Sequence, residues 1–250
     1  MYSGHNEWML GDLSHKFCSS NGKFIFSAED KYANQVLWVT DGSISGTHLI
    51  QHSDSTHYTD PRNMSSWNNL VFYSGKHKQF GEQLFVTDGK ANGTNLLSQI
   101  SQYNGSSRPT DLTASGNQLF FVADDGIHGN EVWTSDGTEI GTNIIEDIDK
   151  RNYQSSNPRM LTSFRNRVLF VADTDTSTAL FLNDGINSVS KLLELPIGTV
   201  INEIKSFDDE VLFVTFNGIQ KVVYKTTFNP SSIQKIYTTQ GETYLNKWFK

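Results

Sequence analysis

Apolar residues in this chain come in short runs separated by Asn, Asp, Gly and Ser, as in KFIFSAE (23–29), QLFFVADD (118–125) and EVLFVTF (210–216). Apolar positions alternate with small or polar ones inside many of these runs, and Val, Ile, Phe, Tyr and Trp are prominent, the signature of β-strands with a buried face. No segment sustains the 3.6-residue period of an amphipathic helix beyond a turn or two. The pattern predicts an all-β chain.

The runs also repeat, and a fixed period decides the architecture. The segments VLWVTDGSISGTHLI (36–50), LFVTDGKANGTNLL (84–97), VWTSDGTEIGTNII (132–145) and LFLNDGINSVSKLL (180–193) share an aromatic, then Asp-Gly, then an apolar pair, with aspartates at Asp41, Asp88, Asp136 and Asp184. A fifth, degenerate copy is VYKTTFNPSSIQKIY (223–237). Phe26, Tyr73, Phe121, Phe170 and Phe213 give a second landmark, spaced by 47, 48, 49 and 43 residues. A third, Phe17, Met64, Leu112, Leu161 and Ile204, precedes each of these by 9 residues, with Pro61, Pro109 and Pro158 leading into it. Each copy predicts four strands, one at the third landmark and one each at the LFFVA, LWVTDG and TNLL runs. Asp-Gly suits the tight connections, because Gly accepts positive φ and the Asp side chain bonds the turn's own amides.

Four antiparallel strands in a repeat of about 40 to 50 residues build β-propellers. We therefore expect a single domain over residues 1–250, a five-bladed β-propeller with blades at 13–52, 60–100, 108–148, 157–195 and 200–239. Residues 1–12 and 240–250, carrying Trp8 and Trp248, are expected to supply closing strands, because natural proteins avoid open sheet edges.

At the Asp-Gly turns the chain resembles the bacterial ELWxxDGT repeat family. Blade three matches most fully, with Glu131, Trp133, Asp136, Gly137, Thr138, Gly141 and Thr142. Blade two offers Glu82, Leu84, Phe85, Asp88, Gly89, Gly93 and Thr94, and blade one Leu37, Trp38, Asp41, Gly42, Gly46 and Thr47. Blade four keeps Asp184-Gly185, and blade five has Thr227-Phe228 there. The resemblance implies a secreted or surface-displayed bacterial protein, often a much larger one, and carries no established reaction.

Composition narrows the partners. Twenty Lys and Arg against 27 Asp and Glu give a net charge of −7 without a basic run, which removes the counterion-release term of nucleic-acid binding. A lone Cys18 allows neither an internal disulfide nor a thiolate metal cluster. No apolar run approaches the ~20 residues of a membrane span, so no membrane insertion is expected. The start MYSGHNEWMLGDL lacks the basic and apolar regions of a signal peptide.

The repeated aromatics Trp38, Phe85, Trp133, Phe181 and Tyr224 read as packing between neighbouring sheets in preference to sugar-stacking platforms. Acidic hairpin loops at 28–35, 123–131 and 172–179 raise calcium as a possible cofactor, with Asp124 and Asp125 leading, although Asp in such loops also serves turn amides. His48 and His52, with His57 and Asp54 nearby, are conceivable zinc ligands, but lone surface histidines are common. None of the linear catalytic motifs sought is present. A hydrolase would need carboxylates on the inner strands, and Asp60, Asp111 and Glu203 are the nearest.

Unrepeated residues point to function better, because blade-wide ones are consumed by the fold. They are Trp67, standing where blade three has Ser115, and Tyr58, Tyr103, Arg108, Tyr153 and Arg159 in or beside the connections between blades. This aromatic and polar mixture suits contact with a glycan or a protein surface. A non-enzymatic binding module is therefore the leading expectation, with a glycan-acting hydrolase or a structural spacer of a larger adhesin as alternatives.

Overall fold

The computed structural model describes residues 17–50, 59–101, 105–151, 154–185, 188–227 and 230–240. The segments 1–16 and 241–250, which hold Trp8 and Trp248, lie outside them. Twenty strands form five antiparallel four-stranded sheets, and every sheet runs in chain order as a meander. Blade one is β1 (Phe17–Ser20), β2 (Lys23–Glu29), β3 (Gln35–Thr40) and β4 (His48–Leu49). Blade two is β5 (Thr59–Trp67), β6 (Leu70–His77), β7 (Gly81–Thr87) and β8 (Thr94–Ser98). Blade three is β9 (Thr110–Ser115), β10 (Gln118–Asp124), β11 (Asn130–Ser135) and β12 (Asn143–Ile144). Blade four is β13 (Arg159–Phe164), β14 (Arg167–Asp173), β15 (Thr178–Asn183) and β16 (Val189–Glu194). Blade five is β17 (Val200–Phe207), β18 (Glu210–Phe216), β19 (Gln220–Thr226) and β20 (Gln234–Gln240). The five-bladed all-β fold expected from the repeat is the fold found.

The first two landmarks fall on one row across every sheet, and the third joins that row in blades one and five; in blades two, three and four it lies in a register slip. Phe17 pairs with Phe26, Phe26 with Trp38 and Trp38 with Leu49 in blade one. Phe121, Trp133 and Ile144 align in blade three, and Ile204, Phe213 and Tyr224 in blade five. Neighbouring rings of a row stack, as in Phe170–Phe181 (5.5 Å) and Phe213–Tyr224 (5.1 Å). Because side chains alternate between sheet faces, each row points one way, and that way is toward the preceding blade. Tyr73 and Phe85 of blade two pack with Ile25, Leu37 and Val39 of blade one. Phe121 and Trp133 pack with Phe72 and Leu84 of blade two, and Phe170 and Phe181 with Phe120 and Val132 of blade three. Phe213 of blade five meets Leu169, Leu180 and Leu182 of blade four. Each of these four junctions thus has its own apolar core. In blade one, by contrast, Phe17 of the row and Phe24 on the same face are each 53% exposed.

The first strands of successive blades lie side by side, from β1 to β5, β9, β13 and β17. Side-chain bonds to backbone tie some of them: Asn63 Nδ2 donates to Pro109 O (3.0 Å) and Thr113 Oγ1 to Leu161 O (3.3 Å). The residues before Pro61, Pro109 and Pro158, namely Asp60, Arg108 and Asn157, all take positive φ, and so do Asn63, Asp111 and Met160 two places beyond each proline. Six left-handed non-glycine residues at matching places make this bend a built feature of blades two to four, and the ladder register slips beside it.

The Asp-Gly turn is a closed box of side-chain bonds. In blade three the Ser135 hydroxyl sits 2.8 Å from that of Thr142 and accepts Gly137 N (3.0 Å), while Asp136 Oδ1 accepts Thr138 N and Oγ1. Blades one and two repeat this with Thr40–Thr47 (2.7 Å) and Thr87–Thr94 (2.6 Å). The first glycine has φ near +90°, at Gly42 (91°) and Gly137 (90°). The second glycine, Gly141, is needed for another reason, since a Cβ there would fall inside the Asp136 carboxylate. We expect Asp136→Ala to lower stability by about 1 kcal/mol, the cost of a lost turn cap. Gly141→Ala should cost at least as much alone and less on the Asp136→Ala background, where the space is open. A double-mutant cycle by thermal unfolding checks the sign of that coupling.

Candidate functional site

Each first strand joins the second through a two-residue turn, as at Asn21-Gly22, Asn68-Asn69 and Arg165-Asn166, where both residues have positive φ. These tips form one rim, and the residue just before each tip decides how the rim packs. In the five blades that residue is Ser20, Trp67, Ser115, Phe164 and Phe207. Trp67 fills the junction between blades two and three: its indole packs on Phe72 (5.8 Å between centroids), lies against Gly137, and donates through Nε1 to Gly116 O (3.1 Å). Ser115 Oγ donates to Arg167 O of blade four (2.8 Å), and Phe164 is buried in the core between blades four and five.

Ser20 fills nothing. At the junction of blades one and two a cleft of about 250 Å³ opens, lined by Ser20, Asn21, Lys23, Asn68, Asn69 and Lys90 among others. The Ser20 hydroxyl is shielded from water without a hydrogen-bond partner. A second cleft of about 450 Å³ shares Lys23 and Lys90 and extends past His48 and Leu49. The Asp-Gly turn of blade two, Asp88 to Lys90, borders both clefts, with Gly89 against Ile25 and Val39 of blade one. Lys90 pairs with Asp88 (3.2 Å).

The candidates read from the sequence are not brought together. Trp67 ends its strand, whereas Arg108 and Arg159 stand at or just before the beginnings of theirs, at the other end of the sheets. Arg108 is exposed, and Arg159 is held by Asp173 (3.2 Å) and by Asn157 O (2.9 Å). Tyr58, Tyr103 and Tyr153 lie outside the described residues, as do His52, Asp54 and His57. Trp67 belongs to the packing between two blades, which is why it breaks the repeat.

The carboxylates are equally committed. Asp125 Oδ1 accepts Ile127 N and His128 N, and Oδ2 faces His128 Nδ1 at 2.7 Å. Burial opposes its ionisation, but the bonds from His128 and Ile127 outweigh that and hold it below the usual range; Asp125 in turn raises the His128 pKa. Asp124 accepts Gly126 N (2.7 Å). Asp60 is opposed by burial and overcompensated by Arg62 and Lys76, so its pKa is also lowered, the reverse of what a general acid needs. Asp111 is exposed at φ 53°, and Glu203 is half-buried beside a ladder irregularity in β17.

One buried carboxyl behaves differently. Glu131 is fully enclosed, and burial pushes its pKa up to about 7 against the bonds from Ser156 N (2.9 Å), Ser156 Oγ (2.5 Å) and Ile148 N, with Asp147 adding to the rise. It straps the connection leading into blade four. Its counterpart in blade two is Gln83, which accepts Ser107 Oγ (2.9 Å) and Ile100 N (3.2 Å) in the same way. The motif position in blade two is therefore Gln83 and not Glu82, whose carboxylate accepts Ser74 Oγ instead.

No protein-family model matches the chain, and no curated protein does. Solved structures with a similar fold include a prolyl endopeptidase, at 13% identity and TM-score 0.54, covering 89% of this chain and 36% of that one. A puromycin-hydrolysing peptidase of Mycobacterium tuberculosis matches at 9% identity and TM-score 0.56, over 89% of this chain and 38% of that one. The β-propeller domain of the trilobed protease from Pyrococcus furiosus matches at 12% identity and TM-score 0.48, over 88% and 71%. The chain spans little more than a third of the first two. It is a protein of the β-propeller class, and at these identities the likeness concerns fold alone.

Proposed function

We propose that this propeller is a non-enzymatic binding module that takes a glycan segment in the cleft between blades one and two. The observation that carries the reading is the exchange of Trp67 for Ser20 at one repeated place: where the indole plugs one junction, the serine leaves the neighbouring one open. The opening is lined by Asn21, Asn68 and Asn69, whose side-chain amides exchange hydrogen bonds with sugar hydroxyls. Resemblance to a repeat family of surface-displayed proteins agrees with such a role. A structural spacer within a larger protein is the second reading, supported by the small share of the matched peptidases that this fold spans.

Ser20→Trp tests the first reading, because it installs the plug of the adjacent junction. Binding on a glycan array is expected to disappear while the melting temperature holds or rises. Glycan binding that survives the substitution would move the site elsewhere, and an array without any signal would leave the spacer.

A further inference from the structure

We infer that the ligand of this cleft carries an anionic group, a sugar carboxylate of the uronate type, seated between Lys23 and Lys90. The inference rests on reading the cleft as a glycan site and adds the charge of the sugar. Lys23 comes from blade one and Lys90 from blade two, and they are the two residues that line both clefts with a charged side chain. An anion placed where the clefts meet would therefore be reached from both blades.

The two lysines are not equivalent. Lys90 has a carboxylate neighbour in Asp88 at 3.2 Å. Lys23 makes no ion pair within contact distance among the described residues, its carboxylate neighbour Asp41 acting on it only at longer range, and it belongs to a chain with seven more acidic than basic residues. An ammonium without a contact partner gains more from an incoming counter-anion than one already paired, as Lys90 is with Asp88. A planar carboxylate on a pyranose can accept from Lys23 and Lys90 while the ring hydroxyls meet the three asparagine amides. A neutral sugar would leave the Lys23 charge as it is now.

The test is calorimetric titration of the full chain with a galacturonate trimer, the matching galactose trimer and sodium acetate. The uronate trimer is expected to bind at least tenfold tighter than the neutral one, to weaken as salt rises, and to lose about tenfold in Lys23→Gln, which removes the charge and keeps a polar end. Acetate alone should bind far more weakly than the trimer, because it lacks the ring. Equal affinity for the two trimers would overturn the anionic inference and leave the glycan reading standing. Binding of neither trimer would overturn the uronate inference and leave the glycan reading to the array, and acetate matching the uronate trimer would replace the sugar with a simple carboxylate site. Ser20→Trp abolishing the uronate signal places it in this cleft, and persistence of that signal overturns the assignment.

Discussion

Replacing Phe121 by Ala should lower stability by about 3 to 5 kcal/mol, while the same change at Phe26, its counterpart in blade one, should cost clearly less. Phe121 is fully buried between Trp133 and the face of blade two, so its loss leaves a cavity that stiff neighbouring strands cannot close. Phe26 stands in the row whose neighbours Phe17 and Phe24 remain half exposed, and less area is uncovered by removing it. Chemical denaturation of both variants, compared at equal slope, gives the difference directly. Equal losses would mean that the blade-one row is covered in solution. Strands supplied by residues 1–12 or 240–250 would do that, and deletion of residues 241–250 would then cost several kcal/mol as well.

The second large effect is a pH dependence set by Glu131. Its folded pKa, about 7, lies above the ordinary value of 4.5, so the folded state holds a proton that the unfolded chain releases. The resulting stability is fully present below about pH 4.5 and is lost as pH rises through 7. The displacement corresponds to roughly 2 to 3 kcal/mol, given the partial screening at the site. His128, with its raised pKa, acts in the same direction from about pH 6.5 upward. Asp41, Asp60, Asp125, Asp136, Asp149 and Glu194 have lowered values and act in the opposite sense, losing stability only as pH falls below about 4.5. Glu131→Gln isolates the effect, since Gln83 already performs the strap as a neutral amide. The variant should gain on the parent by that amount between pH 4.5 and 7.5 in thermal unfolding. Parallel curves would place the proton elsewhere.

The fold was legible because repetition supplies its own controls: five aromatics in one register mark a row even where one copy has drifted to Tyr224. The direction of that row was not legible, since period-2 alternation says that a face is buried without saying which neighbour covers it. The Glu82 alignment failed because it matched residue type; hydrogen bonding to the next connection selects Gln83, one place on. Trp67 was visible as an exception to the repeat, and its role was not, because whether an odd aromatic meets ligand or backbone depends on Gly116 and Gly137 of the following blade. The cleft itself was hidden for a plainer reason. It exists through the smallness of Ser20, and a serine among serines carries no signal until its neighbour is seen to be filled.

The box at the Asp-Gly turn constrains how copies of this repeat can drift apart. With the carboxylate of Asp136 occupying the space of a side chain at Gly141, a mutation at the glycine is blocked until the aspartate has gone. In blade five both residues differ: Thr227 stands at the aspartate's place and Ser232 at the glycine's, and the serine hydroxyl meets that of Thr226 at 3.0 Å. Blade four took another path, discarding part of the loop so that β15 reaches β16 through five residues, 184–188, where blade three uses seven, 136–142. The two positions of the turn are therefore coupled, and the two blades that depart from the motif change both residues or shorten the loop.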